Sequence, residues 1–175
     1  MANPTMTLIS SQTLGGTTAS VTFSSIPSTY NDLKLVVSAR GDAASTDGQL
    51  TVNFNGDSGT NYSWTAVAGY NGSNTYGTGS YGSTNIGALE LDEASVTAST
   101  FSSIELYIPN YNSTGTKPVF NLGAAENNSA SAGNRLGAVA GQYRGTSGIS
   151  SITLTPNSGN FVQYSNFYLY GIKNS

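Results

Sequence analysis

Ser103-Ile104-Glu105-Leu106-Tyr107-Ile108 is an alternating segment, in which every second side chain is aliphatic. Successive side chains of a β-strand point to opposite faces of a sheet, so this segment predicts a strand with one apolar and one polar face. The same alternation recurs over Ser20–Ser24, Gln49–Phe54 and Ser151–Thr155. Half-buried strands of this kind are typical of antiparallel sheets.

Glycine dipeptides separate the alternating runs, namely Gly15-Gly16, Asp47-Gly48 and Asn55-Gly56. They supply the positive φ angles that tight hairpin turns require. The regular succession of strands and turns predicts an all-β fold, an antiparallel β-sandwich of jelly-roll type, as a single domain over residues 1–175. Leu33–Val37 and Phe167–Ile172 are apolar on both faces, which indicates central strands or strands with one face in an interface.

The composition excludes several classes of function. The chain has no cysteine and no histidine, only 9% charged residues and a net charge of −3. Its six basic residues are scattered, so no basic stripe favours nucleic acid. No disulfides are possible, which fits synthesis in a reducing cytoplasm. No apolar run approaches the length of a membrane span, and we expect no cofactor and no metal.

Residues Gly69–Gly87 contain Gly, Ser, Thr, Asn and Tyr with almost nothing that forms a core. This composition predicts a long loop, and loops of this length in compact domains are usually functional. Aromatic residues with a hydrogen-bonding tip are common in adaptable contact surfaces. The candidates for contact with a partner protein or a glycan are therefore Trp64, Tyr70, Tyr76 and Tyr81. The alternative is that these side chains cover a small core.

Three motifs suggest chemistry, and each has a simpler explanation. Gly77–Gly82 matches the nucleotide-binding pattern G-x-G-x-x-G, but no helix follows it. Glu90 and Asp92 lie about 6.6 Å apart if they share a strand face, a spacing found in glycosidases, yet a solvated strand edge followed by a turn is the simpler explanation. Asn53–Gly59, around Asp57, resembles a calcium loop without its terminal acid. We expect no enzyme activity.

Several segments together resemble a known class of protein. The sequence is similar to small virion structural proteins of tailed bacteriophages, especially those of aquatic and cyanobacterial phages. The segments that carry this resemblance are Leu8–Leu14, Val21–Pro27, Tyr30–Arg40, Phe54–Ser63 and Phe167–Lys173.

The resemblance implies a β-sandwich mounted on a phage particle and assembled in the host cytoplasm. The first expectation is a capsid decoration (cement) protein that binds neighbouring capsomers, with the major capsid protein or another virion protein as its partner. The alternative is a receptor-binding or carbohydrate-binding module on a tail or fibre. The resemblance also implies a homo-oligomer, a trimer, because three capsomers can be bridged at threefold sites. The two-sided apolar segments Leu33–Val37 and Phe167–Ile172 favour an oligomer as well.

Overall fold

A computed structural model describes residues 5–70, 74–126 and 134–173. Within these ranges the chain forms twelve strands and no helix, so the predicted all-β sandwich is confirmed. The strands are β1 (Met6–Thr13), β2 (Val21–Phe23), β3 (Asp32–Ala39), β4 (Gly48–Phe54), β5 (Tyr62–Tyr70), β6 (Asn74–Ser83), β7 (Ile86–Leu91), β8 (Ser102–Ile108), β9 (Lys117–Ala125), β10 (Arg135–Tyr143), β11 (Ile152–Pro156) and β12 (Asn166–Ile172).

The strands form two antiparallel sheets of unequal width. The eight-stranded sheet has the order β1-β12-β3-β8-β9-β10-β5-β6, and the four-stranded sheet has the order β2-β11-β4-β7. The two strands predicted from two-sided apolarity, β3 and β12, are both interior strands of the wide sheet. Leu35 of β3 lies opposite Leu169 of β12 on one side and opposite Leu106 of β8 on the other.

The core lies between the sheets and follows the alternation in the sequence. In β8, Ile104, Leu106 and Ile108 are buried, whereas the intervening residues face solvent. The matching side chains of β4 and β11 come from the opposite sheet. Truncating one such buried leucine to alanine typically costs about 2–5 kcal/mol, so this layer of aliphatic side chains holds the sheets together.

The prediction of a long loop over 69–87 is wrong for most of its length. Tyr70 ends β5, residues 74–83 form β6, and Ile86 begins β7. Residues 71–73 lie outside the described residues. The sequence did not predict this strand because β6 is an edge strand whose residues 75–79 are all exposed. Without a buried face, its sequence shows no alternation of apolar residues. Backbone pairing with β5 outweighs the low strand preference of its glycines.

Strand β7 is buried on both faces along its whole length. It is the edge strand of the narrow sheet, and it packs against β9 and β10 of the wide sheet. Glycines beneath it allow this close approach. A Cβ atom at Gly137 would lie 2.9 Å from the Glu90 Cγ, and one at Gly141 would lie 2.8 Å from the Ile86 Cδ1.

We predict that Gly141→Ala destabilises the fold by about 1–3 kcal/mol, because the added methyl group has to displace the buried Ile86. Gly69→Ala is the matched control, since a Cβ atom there meets no neighbour within 4 Å. Chemical denaturation of both variants measures the difference. Equal stability of the two variants would show that Ile86 of β7 does not pack closely against Gly141 of the wide sheet.

Candidate functional site

The four predicted contact residues lie at opposite ends of the β5–β6 hairpin, with Tyr70 and Tyr76 at one end and Trp64 and Tyr81 at the other. The register pairs Trp64 with Ser80 and Ala68 with Tyr76. Trp64 and Tyr70 are six positions apart, which corresponds to about 20 Å along a strand. The sequence predicted Tyr70, Tyr76 and Tyr81 in one long loop with Trp64 just before it, whereas the structure places the four residues on two paired strands, where they do not form one cluster.

Tyr70 and Tyr76 form the first pair, with ring centroids 5.4 Å apart and hydroxyls 3.5 Å apart. The Tyr70 hydroxyl donates a hydrogen bond of 3.0 Å to the Asp47 Oδ1. Burial is the main reason that the pKa of Tyr70 is raised. Tyr70 thus connects the end of β5 to the loop before β4, while Tyr76 lies at the exposed edge with 36% of its surface accessible.

Trp64 is half-buried and packs against the hydrophobic core. Its indole lies under Gly87, where a Cβ atom would be 3.3 Å from the Trp64 Cζ2. The indole Nε1 is buried and finds no hydrogen-bond acceptor in the described part of the chain. Much of the Trp64 side chain therefore packs between β5 of the wide sheet and β7 of the narrow sheet.

Tyr81 is the most exposed of the four, with 88% of its surface accessible. The Arg144 guanidinium lies 5.2 Å from its ring centroid, and Arg144 donates hydrogen bonds to the Ser63 Oγ and the Thr60 carbonyl oxygen. Beside Tyr81 runs an open groove of about 480 Å³, lined by Ser63, Trp64, Thr65, Gly79, Ser80, Tyr81, Ala140, Gly141 and Gln142. This groove offers hydroxyl and amide groups next to an aromatic face.

Glu90 and Asp92 do not form an accessible carboxylate pair. Glu90 is 1% exposed and Asp92 is fully buried. The Glu90 Oε2 lies 3.3 Å from the Arg135 Nη1, and the Asp92 Oδ1 accepts a hydrogen bond of 2.8 Å from the Glu126 backbone N–H. Both side chains lie in the interior, where no polysaccharide chain can reach them.

Two buried arginines organise this interior cluster, and sequence reasoning did not identify them. Arg135 pairs with Asp47 and Glu90, and its Nη2 donates to the carbonyl oxygens of Gly48 and Leu91. Arg40 donates to backbone carbonyl oxygens of the segment after β7; these belong to Ala94, Val96, Thr97 and Thr100. The composition gave only a general signal: in a chain with so few charged residues, a buried arginine needs specific partners.

Three neighbouring carboxyl groups titrate abnormally because they are buried. Desolvation raises the pKa of Glu90 to about 7, although the nearby Arg135 opposes the shift. Desolvation likewise raises the pKa of Glu93 to about 7, against the hydrogen bond that its Oε2 accepts from the Ala43 N–H. Burial also raises the pKa of Asp92. The fold therefore binds protons here that the unfolded chain releases.

We predict that the protein is more stable at about pH 5 than at about pH 8. A carboxyl group whose folded pKa is raised from 4.5 to about 7 contributes stability below pH 4.5, and that contribution disappears as the pH rises towards 7. Each pKa unit corresponds to about 1.4 kcal/mol. The lowered pKa values of Asp42 and Asp57 oppose this trend only in stronger acid, around their ordinary value of 3.8.

Thermal unfolding of the Glu93→Gln variant across this pH range tests the assignment. The variant lacks one titrating group, so its melting temperature should fall less between about pH 5 and about pH 8. Glu105→Gln removes an exposed carboxyl group and is the control, which should retain the wild-type slope. An unchanged slope in Glu93→Gln would contradict the assignment.

The Asp57 segment is a hydrogen-bonded turn. The Asp57 carboxylate accepts hydrogen bonds from the Gly59 N–H at 2.8 Å and the Asn61 Nδ2 at 2.9 Å, which lower its pKa. Across residues 5–70, 74–126 and 134–173, no three acidic, histidine or cysteine side chains converge on a possible metal position. The turn therefore accounts for the resemblance to a calcium loop.

Comparison with known proteins leaves the family open. No protein family matches the sequence, and no curated protein shows significant similarity to it. No helix among the described residues has the length and apolarity to cross a membrane.

Proposed function

We propose that this chain is a virion structural protein of a tailed bacteriophage, a capsid decoration protein that stabilises the shell by binding neighbouring capsomers. The observation that carries the proposal is the order in which its strands pair. The proposal assigns it no enzymatic activity, in keeping with the interior position of Glu90 and Asp92.

Four strand pairs nest one inside another along the chain. β2 pairs with β11, β3 with β8, β4 with β7 and β5 with β6. Eight strands that fold back in this way, first with last and inward to the middle, are the arrangement expected of a jelly roll. We propose that these strands form a jelly roll to which β1, β12 and the β9–β10 hairpin are added. Jelly rolls are common in viral capsid and lectin domains, and the step from fold to role is by analogy.

The edge strand β6 is the surface that we propose for contact with the capsid. An edge strand presents unpaired backbone groups, and proteins usually protect it with charged residues or proline. Residues 74–83 contain neither. Tyr76 and Tyr81 stand along this edge with 36% and 88% of their surfaces exposed. An extended segment of the major capsid protein can add to such an edge, and many copies acting together give the avidity that a shell requires.

Binding to purified heads of the phage that encodes the protein tests this role. The Tyr76→Ser/Tyr81→Ser double variant should lower the bound copies by about tenfold or more, because it removes the exposed aromatic contacts. Tyr164→Ser is the matched control, because Tyr164 is 64% exposed in the segment between β11 and β12. Quantitative co-sedimentation and imaging of the particle give the copy number and position.

Decoration requires copies distributed over the icosahedral shell. A few copies at the tail would support the fibre alternative, and no binding to the particle would contradict both roles. Normal binding by the double variant would contradict the assignment of β6 as the contact surface.

A carbohydrate-binding module of a tail or fibre is the second candidate, and the groove beside Tyr81 favours it. Tyr and hydroxyl side chains next to an open groove of about 480 Å³ suit a sugar ring that stacks on the phenol. We predict that Gln142→Ala and Tyr81→Ala each weaken binding of host surface polysaccharide by about tenfold, whereas Tyr164→Ala has no effect. Isothermal titration calorimetry measures these affinities, and no binding by the wild type would exclude this candidate.

A further inference from the structure

We propose that the outer face of the eight-stranded sheet binds the same face of a second copy of this chain, forming a two-fold dimer. The outer face is the side turned away from the four-stranded sheet. The inference concerns the free protein and does not depend on the proposed virion role.

The centre of the outer face is apolar and exposed. Val67 on β5, Leu136 on β10, and Phe120 and Leu122 on β9 have exposed fractions of 61%, 55%, 52% and 46%. By contrast, Val36 and Tyr168 on the two segments that sequence analysis favoured for an interface are only partly exposed. The largest group of exposed apolar side chains on neighbouring strands therefore lies on β9, β10 and β5, whereas Met6 and Leu8 are exposed on the distant edge strand β1.

Large and small side chains alternate across this surface. The register pairs Leu136 with Ala124, Ala138 with both Leu122 and Val67, and Ala140 with Phe120. Each large side chain thus has an alanine beside it on a neighbouring strand. Stacked sheets pack about 10 Å apart by interdigitating side chains from facing layers, and alternating knobs and hollows are the surface that such packing requires.

The size of the surface fits a dimer contact. Four large side chains that are about half exposed offer on the order of 400 Å² of apolar area, which is comparable to the largest patch of a typical monomer. The alanines between them and Tyr107 at the margin extend it towards the roughly 800 Å² per partner of a standard interface.

A second copy is the occupant that the pattern favours. A two-fold contact applies one patch to itself, so its centre has to avoid charges that would meet like charges. The paired positions 67, 120, 122, 124, 136, 138 and 140 are all uncharged. At the border, Lys34 and Glu105 form an ion pair of 2.8 Å, so each copy brings both signs to the rim. A face that binds the same face of a second copy forms a closed dimer, whereas a trimer needs two different surfaces on each subunit.

Light scattering of the full chain, from about 1 to about 100 µM, tests the dimer. The expected mass is twice the 18.0 kDa of one chain. Leu136→Asp should weaken dimerisation by about 100-fold or more, because it buries an unpaired charge in the contact. Leu8→Asp is the matched control: Leu8 is 49% exposed on β1, five strands away in the same sheet, and this variant should remain dimeric.

A second measurement does not depend on how well these variants fold. The chain contains no cysteine, so an introduced cysteine carries a single label. Pyrene on Ala124→Cys should give excimer fluorescence that disappears on dilution, whereas pyrene on Ser11→Cys should not. A wild-type monomer at every concentration, a trimer mass, equal loss in Leu8→Asp, or excimer only from position 11 would each overturn the proposal. Particle binding has a separate readout, so either proposal can fail alone.

Discussion

Arg135 is the residue at which the two sheets depend on each other. It begins β10 of the wide sheet, yet its guanidinium donates to the carbonyl oxygens of Gly48 and Leu91, which belong to β4 and β7 of the narrow sheet. It also pairs with Asp47 and Glu90. Breaking a buried pair by removing one partner commonly costs about 3–5 kcal/mol, since the other charge stays buried. In a chain without disulfides, such a connection fixes how one sheet is set on the other.

The same cluster explains the unusual path of β7. A strand with both faces buried has no solvent side for polar residues, so its carboxyl group at Glu90 needs an internal partner and internal space. Arg135 is the partner, and Gly123 and Gly137 provide the space. Asp47, shared by Arg135 and Tyr70, extends the network to the end of the β5–β6 hairpin. One chain of polar contacts therefore links the packing at the centre of the fold to the end of the β5–β6 hairpin.

The sequence was informative where apolar and polar residues alternate along a strand. Strand β8 follows its apolar alternation residue by residue, and so do β4 and β11. Strand β6 was missed because it lacks a buried face, and the internal role of Glu90 was missed because its partner Arg135 is distant in the sequence. The aromatic residues Trp64, Tyr70, Tyr76 and Tyr81 were predicted as contact candidates from composition alone. Strand register, which composition does not specify, separates Tyr70 and Tyr76 from Trp64 and Tyr81.

The position of β12 has a consequence for the order of events during synthesis. Strand β12 lies between β1 and β3, although both precede most of the other described strands in the sequence. Until residues 166–172 have left the ribosome, β1 has no strand to pair with and β3 keeps an open edge. Contacts between such distant segments slow folding, and unpaired edges invite association with other nascent chains. Completion of this sheet therefore has to follow the synthesis of residues 166–172, which insert between two strands that are made much earlier.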